Sequence, residues 1–157
     1  MDQTNSVSKS IYKPIEILLI EDNPLDARLT IEALEENKIA NLRHISHVTD
    51  GEQAIKYLSK EFPFESVKTP DIVLLDLNLP KISGYGVLQF VRSQSQLNKV
   101  PIIMLTSSTA EQDITSAYEQ HVNAYIAKPV DFDDFLSILK NMEEFWLHAV
   151  ELPGSNT

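Results

Sequence analysis

The chain has 157 residues, a length that fits one domain built around a single hydrophobic core. Its formal net charge of −10 disfavours direct binding of DNA or RNA, because nucleic-acid binders usually carry a basic patch. The sequence contains no cysteine, which excludes disulfides, thiolate zinc sites and cysteine nucleophiles.

The N-terminal sequence does not resemble an export signal. Residues 1–13 are polar and serine-rich and lack the apolar segment of a signal peptide. No apolar run approaches the roughly 20 residues that cross a bilayer. We therefore expect a cytoplasmic protein without a membrane partner. We expect a flexible arm at 1–13, one domain at 14–149 and a short polar tail at 150–157.

Short apolar runs alternate along the chain with longer amphipathic stretches. The apolar runs predict five strands, at Ile15–Ile20, 42–48, Ile72–Leu75, 102–105 and Ala124–Ala127. The amphipathic stretches predict five helices, at 24–37, 51–60, 84–93, 111–121 and 131 to about 147. At the first helix, Asn23 suits the N-cap position and Pro24 suits the first helical position.

The order of these elements predicts the fold class. Strands that are apolar throughout imply a sheet covered on both faces, and such sheets are parallel. Right-handed crossovers then give an α/β protein with a doubly wound, five-stranded parallel sheet. In these folds ligands bind at the carboxyl ends of the strands, near the point where the strand order reverses.

Polar residues follow four of the five apolar runs. In a parallel sheet these strand ends lie at one edge, so the polar side chains should lie close together. In chain order they are Glu21 and Asp22, then Asp76 with Asn78, then Thr106, and finally Lys128.

This combination predicts chemistry on a phosphoryl group. Clustered carboxylates repel one another unless a proton or a cation joins them. Oxygen ligands without thiolates favour Mg²⁺, with Mn²⁺ as a possible substitute. An ammonium and a hydroxyl can hold phosphoryl oxygens, and a carboxylate nucleophile can form an acyl phosphate. Each feature alone is common on solvated loops, so the prediction depends on the joint pattern.

Four motifs resemble the receiver domain of two-component response regulators. They occur in the order ILLIEDNPLD, IVLLDLNLPKISGYGVL, PIIMLTSS and NAYIAKPVDFDDFL, and the resemblance covers residues 15–147. It implies a (βα)5 flavodoxin-like receiver fold and a phosphoryl group accepted from a histidine kinase. It also implies self-phosphorylation and self-dephosphorylation only, and no enzymatic turnover of a separate substrate.

The resemblance implies a set of magnesium ligands. Asp22 and Asp76 match carboxylates that ligate the ion directly. Asn78 matches the position whose backbone carbonyl is a ligand. Glu21 matches an acidic neighbour that acts through water, although many receivers have aspartate there.

The resemblance also implies the reacting and switching residues. Asp76 matches the phosphoryl acceptor, and Lys128 matches the lysine that pairs with the phosphoryl group. Thr106 matches the hydroxyl switch, and Tyr125 the aromatic switch that turns inward when the hydroxyl moves. Pro129 matches a proline that follows a cis peptide bond.

A narrower resemblance involves the cyanobacterial phytochrome response regulators. It is carried by the loop at 61–70, by DLNLP, and by KPVDFDDF and EEFW at the two ends of the last helix. It implies a phytochrome-type histidine kinase and favours a homodimer. Phe145 and Trp146, near the end of that helix, suit a partner surface as well as a core.

Two other functions stay open at this point. An aspartyl-nucleophile phosphatase would use a similar fold, but such enzymes generally need a second acid two residues after the nucleophile. Asn78 occupies that position and cannot protonate a leaving group. A binding module that works without phosphorylation is the other alternative, although every chemical position is filled here.

Overall fold

The structure is a computed structural model that describes residues 15–35, 43–145 and 153. The predicted arm at 1–13 lies outside the described residues, as do Trp146 and all of the predicted tail except Pro153. Within the described part of the chain, no helix is both long enough and apolar enough to cross a membrane.

Five strands and five helices alternate along the described residues. They are β1 Ile15–Ile20, α1 Pro24–Glu35, β2 Arg43–Val48, α2 Gly51–Leu58, β3 Ile72–Leu75, α3 Gly84–Ser93, β4 Ile102–Thr106, α4 Glu111–Glu119, β5 Ala124–Ala127 and α5 Phe132–Glu143. Every predicted element is present, but α2 and α4 end earlier than predicted. Lys60 and His121 have φ angles of 56° and 68°, a left-handed conformation that terminates a right-handed helix.

The strands form one parallel sheet in the order β2-β1-β3-β4-β5. This arrangement confirms the predicted doubly wound fold. After β1 the chain adds β2 on one side, and then it crosses over to add β3, β4 and β5 on the other side. The strand order therefore reverses between β1 and β3, and the carboxyl ends of these two strands flank the expected ligand site.

Two apolar layers cover the sheet. On one face, helices α2, α3 and α4 pack against side chains such as Leu18 and Leu75. On the other face, α1 and α5 pack against side chains such as Ile17 and Leu74. Because both faces are covered, β3 and β4 are buried along their whole length, and the polar residues that follow them emerge directly from the core.

The one cis peptide bond among the described residues joins Phe62 and Pro63. Our prediction of a cis bond before Pro129 is therefore wrong, because the Lys128–Pro129 bond is trans. The trans isomer is the favoured form of an X–Pro bond, by about 0.5–1 kcal/mol.

Candidate functional site

Three carboxylates meet where β1 and β3 end. One oxygen each from Glu21, Asp22 and Asp76 lies within 4.8 Å of the other two. The backbone N–H of Asp76 donates to the carbonyl of Ile20 at 3.0 Å, so the β1–β3 pairing continues up to the acidic residues. Glu21 and Asp76 are buried and Asp22 is exposed, which leaves the cluster open to solvent on one side.

Lys128 reaches this cluster from the end of β5. Its Nζ lies 2.5 Å from Glu21 Oε1, 2.9 Å from Asp26 Oδ2 and 3.6 Å from Asp76 Oδ2. The side chain is only 7% exposed, so the ammonium has almost no contact with water. One buried positive charge is thus shared among three carboxylates.

The charge balance shifts the pKa values at this edge. Burial, together with the neighbouring Asp76, raises the pKa of Glu21 to about 7, although Lys128 opposes both effects. Burial by itself would lower the pKa of Lys128, but Glu21, Asp26 and Asp76 together raise it. Both groups therefore favour their protonated forms, Glu21 chiefly because it is buried and Lys128 because three carboxylates surround its ammonium.

The same charge balance tests whether a divalent cation fits. The available donors are carboxylate oxygens, which Mg²⁺ and Mn²⁺ prefer as ligands. The backbone of Asn78 lies next to the cluster, because its N–H donates to Asp76 Oδ1 at 3.3 Å. A dication would offset the excess negative charge without a proton, so the residues fit such an ion.

Gly84 lets α3 begin directly beside the end of β3. A Cβ built on Gly84 would collide with the backbone carbonyl oxygen of Asp76 and lie 2.8 Å from the Cα of Leu77. The N–H of Gly84 donates to the carbonyl of Leu77 at 2.8 Å. Only a residue without a side chain therefore allows this close approach, a requirement that we did not predict.

Thr106 ends β4, the strand next to β3. Its side chain is fully buried, and its Oγ1 has no hydrogen-bond partner among the described residues. The carbonyl of Thr106 accepts from the N–H of Lys128 at 2.7 Å, which fixes the β4 and β5 ends relative to each other. A buried hydroxyl without a partner is rare because it loses its hydrogen bonds to water.

Tyr125 is half-buried on β5, where it is the register partner of Met104 on β4. Its hydroxyl donates to the carbonyl of Ser108 at 2.9 Å, in the loop at 107–110 between β4 and α4. Burial raises the pKa of Tyr125, so the phenol stays protonated and can donate. The position of this ring is therefore coupled to the loop that follows Thr106.

A second tyrosine, Tyr85 on α3, is connected to the same loop through Asp113 on α4. The hydroxyl of Tyr85 donates to the carbonyl of Asp113 at 2.9 Å and lies 3.2 Å from its Oδ1. Ser108 Oγ donates to Asp113 Oδ2 at 2.5 Å. Burial, with the charge of Asp113, raises the pKa of Tyr85 to about 12. The network links α3, α4 and the β4–α4 loop.

The structure brings the sequence-predicted residues to one edge of the sheet. Tyr125 differs from the others, because its hydroxyl donates to the carbonyl of Ser108 in the β4–α4 loop and not to the acidic cluster. Our sequence reasoning missed Asp26, Gly84 and the Tyr85–Asp113 pair. Asp26 had a usable signal, because it is the acidic residue in the first turn of the helix that follows Asp22.

Residues 17–140 match the family described as "Response regulator receiver domain". The chain is 36% identical over 142 residues to response regulator Rcp1 of Synechocystis sp., covering 90% of this chain and 95% of Rcp1. It is also 36% identical over 141 residues to FilR2 of Methanothrix harundinacea, a probable methanogenesis regulatory protein, covering 90% of this chain and 89% of FilR2.

Among solved structures, the phosphorylated cyanobacterial phytochrome response regulator RcpA superposes with a TM-score of 0.86 at 39% identity. The aligned part covers 90% of this chain and 99% of RcpA. The fold, the family match and these relatives agree with one another. The chain belongs to the family of response regulator receiver domains and is similar to the cyanobacterial phytochrome response regulators.

Proposed function

We propose that this protein is a single-domain response regulator of a two-component phosphorelay, which accepts a phosphoryl group on Asp76. The observation that carries the proposal is the meeting of four features at one sheet edge: the three-carboxylate cluster, Asp76 within it, the ammonium of Lys128, and the unpartnered hydroxyl of Thr106 on the adjacent strand. The single-domain proposal is supported by Rcp1, 95% of which this chain covers. The limits we propose for the domain are 14–149, which enclose the family match at 17–140.

The proposed metal ligands are the carboxylates of Asp22 and Asp76 and the backbone carbonyl of Asn78, with Glu21 acting through water. The ion would be Mg²⁺, with Mn²⁺ possible, and when bound it would neutralise charge on the phosphoryl oxygens. Support comes from the acidic cluster, which fits a dication, and from the relative Rcp1, for which a Mn(2+)-bound form has been solved.

The chain's own residues would divide the chemistry among them. A carboxylate oxygen of Asp76 attacks phosphorus, and the donor's bond to phosphorus breaks as the new O–P bond forms. The ammonium of Lys128 then hydrogen-bonds one phosphoryl oxygen, and Thr106 Oγ1 donates to another. Thr106 is suited to this role because its hydroxyl has no competing acceptor among the described residues.

We propose that the signal passes from Thr106 to Tyr125. Movement of Thr106 toward the phosphoryl group displaces the loop at 107–110, to which the hydroxyl of Tyr125 is bonded. The surface formed by α4, β5 and α5 then changes, and a partner that prefers one surface biases the equilibrium. Tyr118 on α4 and Phe145 after α5 are large exposed hydrophobic residues, at 49% and 58%, and support a homodimer interface on this side.

The phosphoryl donor that we propose is a phytochrome-type histidine kinase, in the cytoplasm and without nucleic-acid or membrane partners. The likeness to RcpA and Rcp1 supports the phytochrome class. FilR2 is a relative at the same identity as Rcp1 and is described as a methanogenesis regulator, so the donor class must be tested directly.

The test mixes the purified protein and Mg²⁺ with a phytochrome histidine kinase carrying a ³²P-labelled phosphohistidine. We expect label on the wild-type protein, none on Asp76→Asn, and a change in oligomer size by light scattering upon labelling. A histidine kinase of another sensory class serves as the control donor and should transfer label more slowly. Label on Asp76→Asn would refute the acceptor, and steady hydrolysis of a small phosphate ester would favour the phosphatase alternative.

A further inference from the structure

Asp26 contacts the catalytic lysine but lies outside the proposed acceptor, metal and switch positions. It is in the first turn of α1, and its Oδ2 accepts from Lys128 Nζ at 2.9 Å. Its side chain is 29% exposed, whereas that of Lys128 is 7% exposed. The ion pair therefore lies at the mouth of the site, with its cation inside and its carboxylate at the rim.

The start of α1 holds Asp26 in place. Its backbone N–H donates to Asn23 Oδ1 at 3.0 Å, and its carbonyl accepts from Thr30 Oγ1 at 2.7 Å. Pro24, which follows Asn23, occupies the first position of α1, where its fixed φ suits the helix. The carboxylate of Asp26 therefore projects from a backbone that is hydrogen-bonded on both sides.

The lysine is held close to the nucleophile but not on it. Lys128 uses two of its three N–H groups on Glu21 and Asp26, and its distance of 3.6 Å to Asp76 Oδ2 is beyond hydrogen-bond length. Asp76 Oδ1 already accepts from the N–H of Asn78. If Lys128 moved onto Oδ2, both carboxylate oxygens would be engaged by donors, and the nucleophile would be masked.

We propose that Asp26 is a positioning residue that holds Lys128 off Asp76 in the resting state. The gap leaves one N–H of the ammonium available to an oxygen of the incoming phosphoryl group instead of the attacking carboxylate. Without Asp26, the buried ammonium keeps Glu21 and has Asp76 as its nearest remaining carboxylate, so it moves onto the nucleophile. This inference rests on the proposed function, since it assumes that Asp76 is the nucleophile.

The kinetic test uses acetyl phosphate with Mg²⁺, which avoids any docking of a partner protein. In the reaction an oxygen of Asp76 bonds to phosphorus, the bond from phosphorus to the acetyl oxygen breaks, and acetate leaves with the electron pair. We expect Asp26→Ala to slow phosphorylation on the order of tenfold, the effect of one charge-assisted hydrogen bond. Asp26→Glu keeps a carboxylate on the same helical turn and should keep most of the wild-type rate.

Glu32→Ala is the matched control, because Glu32 is an exposed acid on the same helix and its loss changes the net charge equally. It should react at the wild-type rate. A wild-type rate for Asp26→Ala would overturn the proposal. An Asp26→Glu rate as low as that of Asp26→Ala would also overturn it, because the residue would then act through the helix and not through the carboxylate.

A structural measurement separates this inference from the proposed function. In a metal-free crystal structure of Asp26→Ala, we expect Lys128 Nζ within about 3.2 Å of Asp76 Oδ2, a hydrogen-bond distance. A distance that stays at the wild-type value would overturn the inference whatever the kinetics show. If the wild-type protein takes up no phosphoryl group, the proposed function fails, and the crystal distance still decides whether Asp26 positions the lysine.

Discussion

The two halves of the site differ in how their polar groups are paired. The ionic half comprises Glu21, Asp22, Asp26, Asp76 and Lys128, and it has more negative charge than its one ammonium can balance. The switch half comprises Tyr85, Thr106, Ser108, Asp113 and Tyr125, and it contains a buried hydroxyl with no partner among the described residues.

Each half therefore lacks one interaction that the proposed reaction supplies. A cation relieves the excess charge in the ionic half, and a phosphoryl oxygen gives the Thr106 hydroxyl its acceptor. The resting protein stores unfavourable energy at both places. Phosphorylation would release part of this energy, which gives the phosphorylated state a physical reason to differ in shape from the resting state.

The largest expected effect comes from removing the one cation of the ionic half. Lys128→Met leaves buried carboxylates without their cation. Removing one partner of a buried ion pair destabilises the folded protein by roughly 3–5 kcal/mol. We expect the free energy of unfolding at pH 8, measured by urea titration with chelator present, to fall by about 3 kcal/mol. Lys99→Met, at an exposed position, is the control and should change little.

The pH dependence tests the same excess charge. Because the folded-state pKa of Glu21 is raised from 4.5 to about 7, its contribution to stability is fully present below pH 4.5 and is lost as the pH rises toward 7. A shift of this size corresponds to at most about 3 kcal/mol. In the metal-free protein the free energy of unfolding should fall more steeply between pH 4.5 and 7 than in Glu21→Gln.

Addition of Mg²⁺ should reduce this difference between wild type and Glu21→Gln, since a cation favours the ionised carboxyl. Identical pH profiles for the two proteins would contradict the raised pKa of Glu21 and weaken the contrast between the halves.

Gly84→Ala tests the close approach of α3 to the end of β3, where Asp76 lies. The added methyl group meets the backbone of Asp76 and Leu77, which cannot rotate away as a flexible side chain would. Overpacking of this kind costs typically 1–3 kcal/mol, and we expect a loss of about 2 kcal/mol in unfolding free energy. Displacement of Asp76 should also weaken Mg²⁺ binding, measured by calorimetry. Gly86→Ala is the comparison variant, because its Cβ would meet side chains and no backbone, the nearest atom being Ile82 Cγ2 at 2.6 Å, so its loss of stability should be smaller.

The smallest expected effect has the opposite sign and is specific to the switch half. Thr106→Val removes a buried hydroxyl without a partner and replaces it with a methyl group of similar size. Leaving such a group unsatisfied costs about 1–3 kcal/mol, so the variant should be more stable by about 1 kcal/mol in the unphosphorylated state. Phosphorylation should then change its oligomer size less than that of the wild type. Destabilisation by this substitution would mean that the hydroxyl has a partner, such as a bound water.

Much of the fold followed from local patterns. The apolar runs predicted β1, β3 and β5 with the bounds that the structure has. The reason is clearest for β3, which is buried along its whole length and is apolar throughout. The helix ends were harder to predict, since Lys60 and His121 adopt left-handed conformations that glycine or asparagine would have indicated. The isomer of the peptide bond before Pro129 was also predicted wrongly.

The residues missed at the site were missed for two physical reasons. Asp26 and the Tyr85–Asp113 pair act through contacts between elements that are distant in sequence, such as the contact of Asp26 with Lys128 across 102 positions. Gly84 acts over a short sequence distance, but its role depends on how closely α3 approaches the end of β3. Strand-end positions follow from topology alone, but a contact between the side of a helix and a loop depends on how far each element rotates and where it begins.

The sequence by itself determined the parallel α/β fold and the family, because burial on both faces requires apolar strands and because the polar residues must then appear at the strand ends. It also placed Glu21, Asp22, Asp76 and Lys128 at one edge. Only the tertiary structure decided that one ammonium is shared among three carboxylates and that the Thr106 hydroxyl is unpartnered. These are properties of distances and burial, which arise when the elements pack together and which no single segment encodes.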